Sequence, residues 1–270
     1  MAHPYFDLEL PIAIGHRGCA GEAPENTLVS FERALAAGAV VLETDVHLTR
    51  DGVPVLLHDD GIDRVTEGSG PVAALGFEEL CGFDAGYHFT PDAGRTHPFR
   101  GRGQRVPSLE EALAAFPEAR FNLELKQDLP GIVERTLEVV ARAGREALTL
   151  VTAADDALMA RLREHLRAHA IGVAQGASAG DVLDFIRSGL DGTAPAPGPM
   201  ALQVPAEFGG RPLVTAPLLK HAHAHGVQVH VWTINDRSEM TRLLDLGVDG
   251  IVSDFPGRLA ALIEARRARA

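Results

Sequence analysis

The strongest constraint on the fold is an alternation of short apolar runs with segments of helical periodicity, which continues along most of the chain. Between the first two apolar runs, for example, Leu28, Phe31 and Leu35 recur at the spacing of one helix face. The runs predicted to form parallel strands are 12–15, 40–46, 121–126, 148–152, 170–174, 200–204, 227–232 and 249–253. Eight strand–helix units within 270 residues favour an α/β fold, a single TIM (β/α)8 barrel.

Two segments depart from this alternation. Residues 53–57 follow the second strand after a tight turn at Arg50, which is too short for a parallel crossover, so we expect an antiparallel strand there. Residues from about 60 to 105 are rich in Gly and Pro and too irregular for an ordinary loop. We therefore expect one domain, residues 1–270, with an insertion at about 60–105 that begins after His58.

Acidic side chains collect on one face of two predicted strands. Glu43 and Asp45 are two residues apart in an apolar strand, so both point to the same face. Glu124 and Lys126 share a face of a later strand in the same way. Three carboxylates form a set of hard oxygen donors, which suits Mg²⁺ or Ca²⁺ better than zinc. The sequence therefore predicts a site for one divalent cation with Glu43, Asp45 and Glu124 as ligands.

Basic and aromatic groups follow other strands at the end where TIM barrels carry their functional residues. Arg17 and Lys126 could bind a phosphate group beside the acidic set, and His16 and His58 could supply an acid and a base near neutral pH. Trp232 also ends a strand, where two roles stay open: contact with the carbon atoms of a substrate, or packing in the core. Together these groups predict metal-assisted cleavage of a phosphodiester.

The chain resembles the glycerophosphodiester phosphodiesterase family in a series of motifs that occur in order along nearly its whole length. The matching segments are His16-Arg17-Gly18, Pro24-Glu25-Asn26-Thr27, Glu43-x-Asp45, His58-Asp59, Leu123-Glu124-Leu125-Lys126, the stretch from Arg105 to Glu111, Trp232-Thr-Ile-Asn235 and the stretch from Gly247 to Asp254. The combination is specific, whereas a His-Arg-Gly or a His-Asp motif alone would not be.

This resemblance implies a TIM barrel with a small insertion after the His-Asp motif, and a divalent metal. It implies hydrolysis of glycerophosphodiesters to glycerol 3-phosphate and an alcohol, an activity of glycerol and lipid metabolism. A cyclic phosphate intermediate, formed by the glycerol 2-hydroxyl, is one route, and direct attack by water is the other. The implied roles are acid and base for His16 and His58, metal ligation for Glu43, Asp45 and Glu124, and phosphate binding for Arg17 and Lys126.

Charge and composition limit the kinds of molecule that the protein could bind. The net charge of −12 argues against a general nucleic-acid or anionic-membrane binder and leaves a small-molecule substrate. No apolar run approaches the ~20 residues that span a bilayer, so we expect no stable membrane insertion. The start of the chain lacks the pattern of a signal peptide, and we expect a cytoplasmic protein. The sequence leaves the oligomeric state open.

Two alternative functions are weighed against this interpretation. A lysophospholipase D-type enzyme that acts on lipids would need an apolar, membrane-facing insertion, whereas the insertion here is mixed in composition and rich in glycine. A non-catalytic protein that binds phosphate ligands on the same barrel would be favoured by the loss of either histidine, and both His16 and His58 are present.

Overall fold

The computed structural model describes residues 3–269, in which parallel strands form a barrel surrounded by helices. The strands are β1 (Ile12–Gly15), β2 (Val41–Leu48), β3 (Pro54–Leu56), β4 (Arg120–Leu125), β5 (Thr149–Thr152), β6 (Ala174–Gln175), β7 (Ala201–Pro205), β8 (Glu207–Phe208), β9 (Arg211–Pro212), β10 (Gln228–Trp232) and β11 (Gly250–Ser253). The α-helices are α1 (Leu28–Ala36), α2 (Phe77–Leu80), α3 (Leu109–Ala115), α4 (Ile132–Arg142), α5 (Asp156–His169), α6 (Ala179–Asp191), α7 (Ala216–Ala224), α8 (Arg237–Leu246) and α9 (Pro256–Arg267).

Eight parallel strands follow the order β6-β5-β4-β2-β1-β11-β10-β7 around the barrel. The two ends of this order approach each other where the backbone N–H of Met200 donates to the carbonyl of Gln175 at 2.9 Å. The predicted TIM barrel is therefore confirmed. The strand predicted at 170–174 lies later, at Ala174–Gln175, because α5 continues to His169 and Ala170 ends it in a left-handed conformation.

The helices pack one apolar face against the outside of the barrel. In α4, for example, Val133, Leu137 and Val140 are buried at helical spacing. Burial of each such side chain contributes roughly 1.5–3 kcal/mol to stability. Within residues 3–269, no helix combines the length and the apolar character that a bilayer crossing requires.

Strand β3 pairs antiparallel to β2, with Val46 opposite Leu56, as the short turn between them predicts. The segment after β3 contains two short helical turns, and its apolar residues pack on a separate small core. That core includes Val55, Leu57, Ile62, Val72 and Leu80. Because Val55 and Leu57 lie in or next to β3, this core fixes the segment beside the barrel, directly after His58.

A segment before β1 closes the base of the barrel, the end at which the strands begin. Residues Pro4–Phe6 form a single 3-10 turn, and the Tyr5 side chain is 1% exposed among apolar residues that include Ile12, Ile14 and Val41. The Arg120 guanidinium donates to the carbonyl of Tyr5 at 3.0 Å and so ties this segment to the start of β4. The sequence pattern does not predict this closure.

Candidate active site

A cavity of about 280 Å³ opens at the mouth of the barrel, the end at which the parallel strands finish. All eight side chains that the sequence predicts for the site line this cavity. They are His16, Arg17, Glu43, Asp45, His58, Glu124, Lys126 and Trp232. Residues in β2, β4 and β10, and in the segments that follow β1, β3 and β4, thus converge on one volume.

The three predicted metal ligands form one acidic cluster. Strands β2 and β4 pair with Asp45 beside Glu124, and one oxygen atom from each of Glu43, Asp45 and Glu124 lies within 4.8 Å of the others. Burial and the charge of Asp45 raise the pKa of the Glu43 carboxyl to about 7. A divalent cation would offset both effects, and three carboxylates are suitable ligands for Mg²⁺ or Ca²⁺. The residues present therefore fit the predicted metal.

Two cations contact the acidic cluster. The Nζ atom of Lys126 lies 3.2 Å from Asp45 Oδ1 and 2.9 Å from Glu124 Oε2, and Arg17 Nε lies 3.3 Å from Asp45 Oδ2. Burial alone would lower the pKa of Arg17 and of Lys126, but the neighbouring carboxylates outweigh it and raise both. Both side chains therefore remain positively charged at neutral pH, as the binding of a phosphate requires.

The residues just before α1 hold Asp45 in place. The amide nitrogen of Asn26 donates to Asp45 Oδ2 at 3.0 Å, and its oxygen accepts from the Thr44 hydroxyl at 2.6 Å. A helix begins shortly after Asn26, but its N-cap is Thr27, whose hydroxyl accepts from the Ser30 N–H at 3.3 Å. Asn26 is therefore a residue that orients the acidic cluster.

His16 is oriented by a carboxylate from the opposite end of the chain. Its Nδ1 lies 2.6 Å from Asp254 Oδ1, and the amide of Asn235 donates to the other oxygen of Asp254 at 2.6 Å. Burial alone lowers the pKa of His16, but the bond to Asp254 and the charge of Glu43 outweigh it and raise the pKa above 6.5. Because an ionised carboxylate only accepts hydrogen bonds, Nδ1 carries a proton, and Nε2 is the ring nitrogen that could exchange one with a substrate.

His58 is oriented in the same way by its neighbour in the chain. Its Nδ1 lies 2.6 Å from Asp59 Oδ1, and Arg64 donates to the other oxygen of Asp59 at 2.5 Å. Burial alone would raise the pKa of Asp59, but the hydrogen bonds from Arg64 and His58 lower it to about 2. Arg64 also binds Glu25 with two bonds of 2.6 and 2.7 Å, and Glu25 accepts from Arg17 at 2.8 Å.

Sequence reasoning alone assigned no role to Asp254, Asn235 or Arg64. Asn235 and Asp254 lie in two of the matching motifs, so a signal for them was present, but which residue they contact depends on the closure of the barrel between β1 and β11. Arg64 follows His58 by six residues in an irregular segment, where the spacing of residues does not indicate which way a side chain points. These residues make two histidine–carboxylate pairs from what the sequence presents as separate histidines.

Trp232 is 44% exposed and lies at the side of the cavity. Packing in the core therefore does not describe this side chain. Its contact with the carbon atoms of a substrate remains a prediction.

The arrangement can bind an anionic group and move protons within one cavity. Arg17 and Lys126 supply positive charge, the two histidines line the same cavity, and the acidic cluster supplies ligands for a cation. Each histidine is held through Nδ1, so that its Nε2 is left for a substrate atom. These features are those required for acid–base cleavage of a phosphate ester.

Comparison with known proteins agrees with this chemistry. A related protein of Mycobacterium tuberculosis, named probable glycerophosphodiester phosphodiesterase 2, is 31% identical over 94% of this chain and 91% of its own length. Human lysophospholipase D is 28% identical over 91% of this chain and 84% of its own length. The crystal structure of an Oleispira antarctica phosphodiesterase with the product sn-glycerol-3-phosphate superimposes with a TM-score of 0.73, at 27% identity and with 94% and 97% of the two chains covered.

The family model that describes the glycerophosphoryl diester phosphodiesterases matches residues 16–258. This range begins at His16 and extends beyond Asp254, so it includes both histidine–carboxylate pairs and the acidic cluster. The match covers most of the chain and agrees with the motifs in the sequence. The chain belongs to the glycerophosphoryl diester phosphodiesterase family of enzymes.

Proposed function

We propose that this enzyme hydrolyses glycerophosphodiesters to glycerol 3-phosphate and an alcohol. The observation that carries the proposal is that one cavity is lined by an acidic cluster, by two cations and by two histidines that are each paired with a carboxylate. The related phosphodiesterase from Oleispira antarctica holds sn-glycerol-3-phosphate as its product, which supports the same product here.

We infer that one divalent cation, Mg²⁺ or Ca²⁺, is held by Glu43, Asp45 and Glu124. When bound, the cation polarises the phosphoryl group and stabilises the negative charge that develops during cleavage. Arg17 and Lys126 bind the phosphate oxygens, and their charges offset the dianionic character of the transition state.

His16 and His58 are proposed as the acid and base. In the proposed route one histidine removes the proton of the glycerol 2-hydroxyl, which attacks phosphorus and forms a cyclic phosphate. The bond from phosphorus to the alcohol breaks, and the other histidine gives a proton to the departing oxygen. Water then attacks phosphorus, and the bond from phosphorus to the glycerol 2-oxygen breaks. The histidine that gave its proton takes one from this water, and the other histidine returns a proton to the 2-oxygen. We propose that residues 1–270 act as one catalytic domain, since residues from His16 to Trp232 line one cavity. The insertion belongs to this domain because it directly follows the His58-Asp59 motif.

A second candidate is a lysophospholipase D activity, the release of the head group from a monoacyl lipid. Human lysophospholipase D matches over nearly the same length, which supports this candidate. The two activities cleave the same kind of phosphodiester bond and differ in the group that the glycerol carries. The same eight residues would serve both.

The test is the release of glycerol 3-phosphate from glycerophosphocholine and glycerophosphoethanolamine, measured with Mg²⁺, with Ca²⁺ and after EDTA treatment. We expect release that depends on one of the two metals and is lost with EDTA. Hydrolysis of bis(p-nitrophenyl) phosphate without release of glycerol 3-phosphate from either glycerol diester would support phosphodiester cleavage. It would contradict the proposal that the substrate is a glycerophosphodiester. The absence of hydrolysis of any diester with either metal would overturn the proposed function.

A further inference from the structure

An apolar cleft of about 300 Å³ lies beside the active-site cavity. One wall is α6, with Val182, Leu183 and Ile186, and the other includes Phe208 and Leu213 of the β8–β9 hairpin segment. Leu183 is 61% exposed and Phe208 is 74% exposed, although exposure of large apolar side chains to water is unfavourable. Clustered exposed apolar residues of this kind are typical of binding surfaces.

The cleft is continuous with the active-site cavity. Ala154, Gln203 and Trp232 line both volumes, so the boundary between them consists of one small residue, one amide and one indole ring. The side-chain oxygen of Gln203 is buried and has no hydrogen-bond partner among the described residues. The polar side chain of Gln203 therefore lies between a charged volume and an apolar volume.

We propose that the cleft binds the hydrocarbon chain of a monoacyl or monoalkyl glycerophosphodiester whose phosphate occupies the active-site cavity. This proposal rests on the proposed function and specifies its substrate class, with the difference that such a substrate releases a glycerol 3-phosphate that still carries the chain. In such a molecule polar glycerol atoms separate the phosphate from the chain, which matches the order of charged cavity, Gln203 amide and apolar cleft. An alcohol group with an alkyl chain would place no polar atoms at Gln203, so the chain belongs on the glycerol side.

The location of the cleft differs from the one that the sequence suggested for a lipid substrate. The apolar surface comes from α6 and the β8–β9 hairpin, not from the insertion after His58. Phe208 is near the tip of a two-residue strand and Leu183 is on the outer side of α6, so neither side chain contributes to the barrel core. The cost of exposing them is offset when a hydrocarbon chain covers them.

The experiment measures kcat/KM for glycerophosphocholine and for its 1-butanoyl, 1-hexanoyl and 1-octanoyl esters, each at concentrations at which it is monomeric. Burial of a methylene group changes kcat/KM by up to roughly fourfold. We expect an increase of about two- to fourfold for each added methylene until the cleft is full. Equal kcat/KM values for all four substrates would overturn the proposal, even though hydrolysis of glycerophosphocholine would still support the proposed function.

Two variants test the location of the chain. Leu183→Glu and Phe208→Glu place a charge in the cleft, and we expect each to reduce the ratio of the octanoyl value to the glycerophosphocholine value at least about tenfold. Leu190→Glu is the matched control, because Leu190 is on the same helix, is 83% exposed and does not line the cleft. An unchanged ratio in both cleft variants would overturn the location proposed for the chain.

A second measurement needs no turnover. Trp232 is the single tryptophan of the chain and lies at the boundary of the cleft, so its fluorescence reports on the occupant. In the His58→Ala variant, titration with 1-octanoyl glycerophosphocholine should shift the emission further to shorter wavelength than titration with glycerophosphocholine does. No difference between the two titrations would overturn the proposal even if the enzyme hydrolysed no diester at all.

Discussion

The mouth and the base of the barrel interior contain opposite kinds of side chain. At the mouth, Asp45 is 1% exposed and lies between Arg17 and Lys126. At the base, Tyr5 is also 1% exposed but lies among aliphatic residues, and burial raises the pKa of its hydroxyl far above the ordinary value of 10. Strand β2 serves both ends, because Val41 at its start belongs to the apolar base, and Glu43 and Asp45 further along it line the cavity at the mouth.

The difference separates what holds the fold from what performs the chemistry. Charged groups at the mouth are costly to bury, and pairing recovers only part of that cost. At the base, the apolar side chains contribute to stability by burial. Changes at the mouth should therefore affect activity more than stability, and changes at the base should do the reverse.

The largest expected effect is at the mouth. His58→Ala removes a proposed acid–base group, and kcat should fall about 10²- to 10⁴-fold. The midpoint of thermal unfolding should change little, since His58 lies at the surface of the cavity and is about one-third exposed. His225→Ala, at the exposed end of α7, is the control and should retain full activity. Full activity in His58→Ala would contradict the role of this histidine.

The converse change is at the base. Tyr5→Ala removes a fully buried ring, and the free energy of unfolding should fall by about 3–5 kcal/mol. At 25 °C, kcat per folded molecule should stay within about twofold of the original value. Leu10→Ala, in the same segment but at a position that is 41% exposed, should cost less than about 1 kcal/mol. Chemical denaturation measures both free energies of unfolding. A large loss of kcat in Tyr5→Ala would contradict the division of roles between the mouth and the base.

Much of this division could be predicted from the sequence. The alternation of apolar residues with Glu43 and Asp45 predicts both the strand and the face of its acids, because strand side chains point in alternate directions. The closure by Tyr5 could not be predicted, because a three-residue turn carries no periodic signal. Likewise, the pairing of His16 with Asp254 joins residues 238 positions apart, and only the closure of the barrel brings them together.

Low pH should destabilise the base of the barrel through His230, which lies in β10 opposite Gly250, the first residue of β11. This side chain is fully buried, and burial lowers its pKa from 6.5 to about 4. The unfolded chain binds a proton near pH 6.5, whereas the folded protein resists protonation down to about pH 4. The free energy of unfolding therefore has its full value, as far as His230 is concerned, above pH 6.5. It falls as the pH decreases, by up to about 3 kcal/mol at pH 4. Glu43, at the mouth, acts in the opposite direction, because its raised pKa removes stability as the pH rises toward about 7.

Comparison with His230→Leu isolates the contribution of this histidine. The variant lacks the titrating group, so the difference in unfolding free energy between it and the unmodified protein should change between pH 7 and pH 4. Urea denaturation at a series of pH values measures this difference. A constant difference across that range would contradict the lowered pKa of His230.

The smallest of these effects is expected at the mouth. It tests whether the ion pairs there orient the side chains of the site. Arg64 joins Asp59, which holds His58, to Glu25, which holds Arg17. Arg64→Lys keeps the charge but loses the forked contacts of the guanidinium, so kcat should fall about tenfold with little change in KM. Arg50→Lys is the control, because the Arg50–Glu79 pair is exposed and lies outside the cavity. If Arg64→Lys instead lowers the unfolding midpoint and leaves kcat unchanged, the ion pairs at the mouth support the fold, and the contrast with the base disappears.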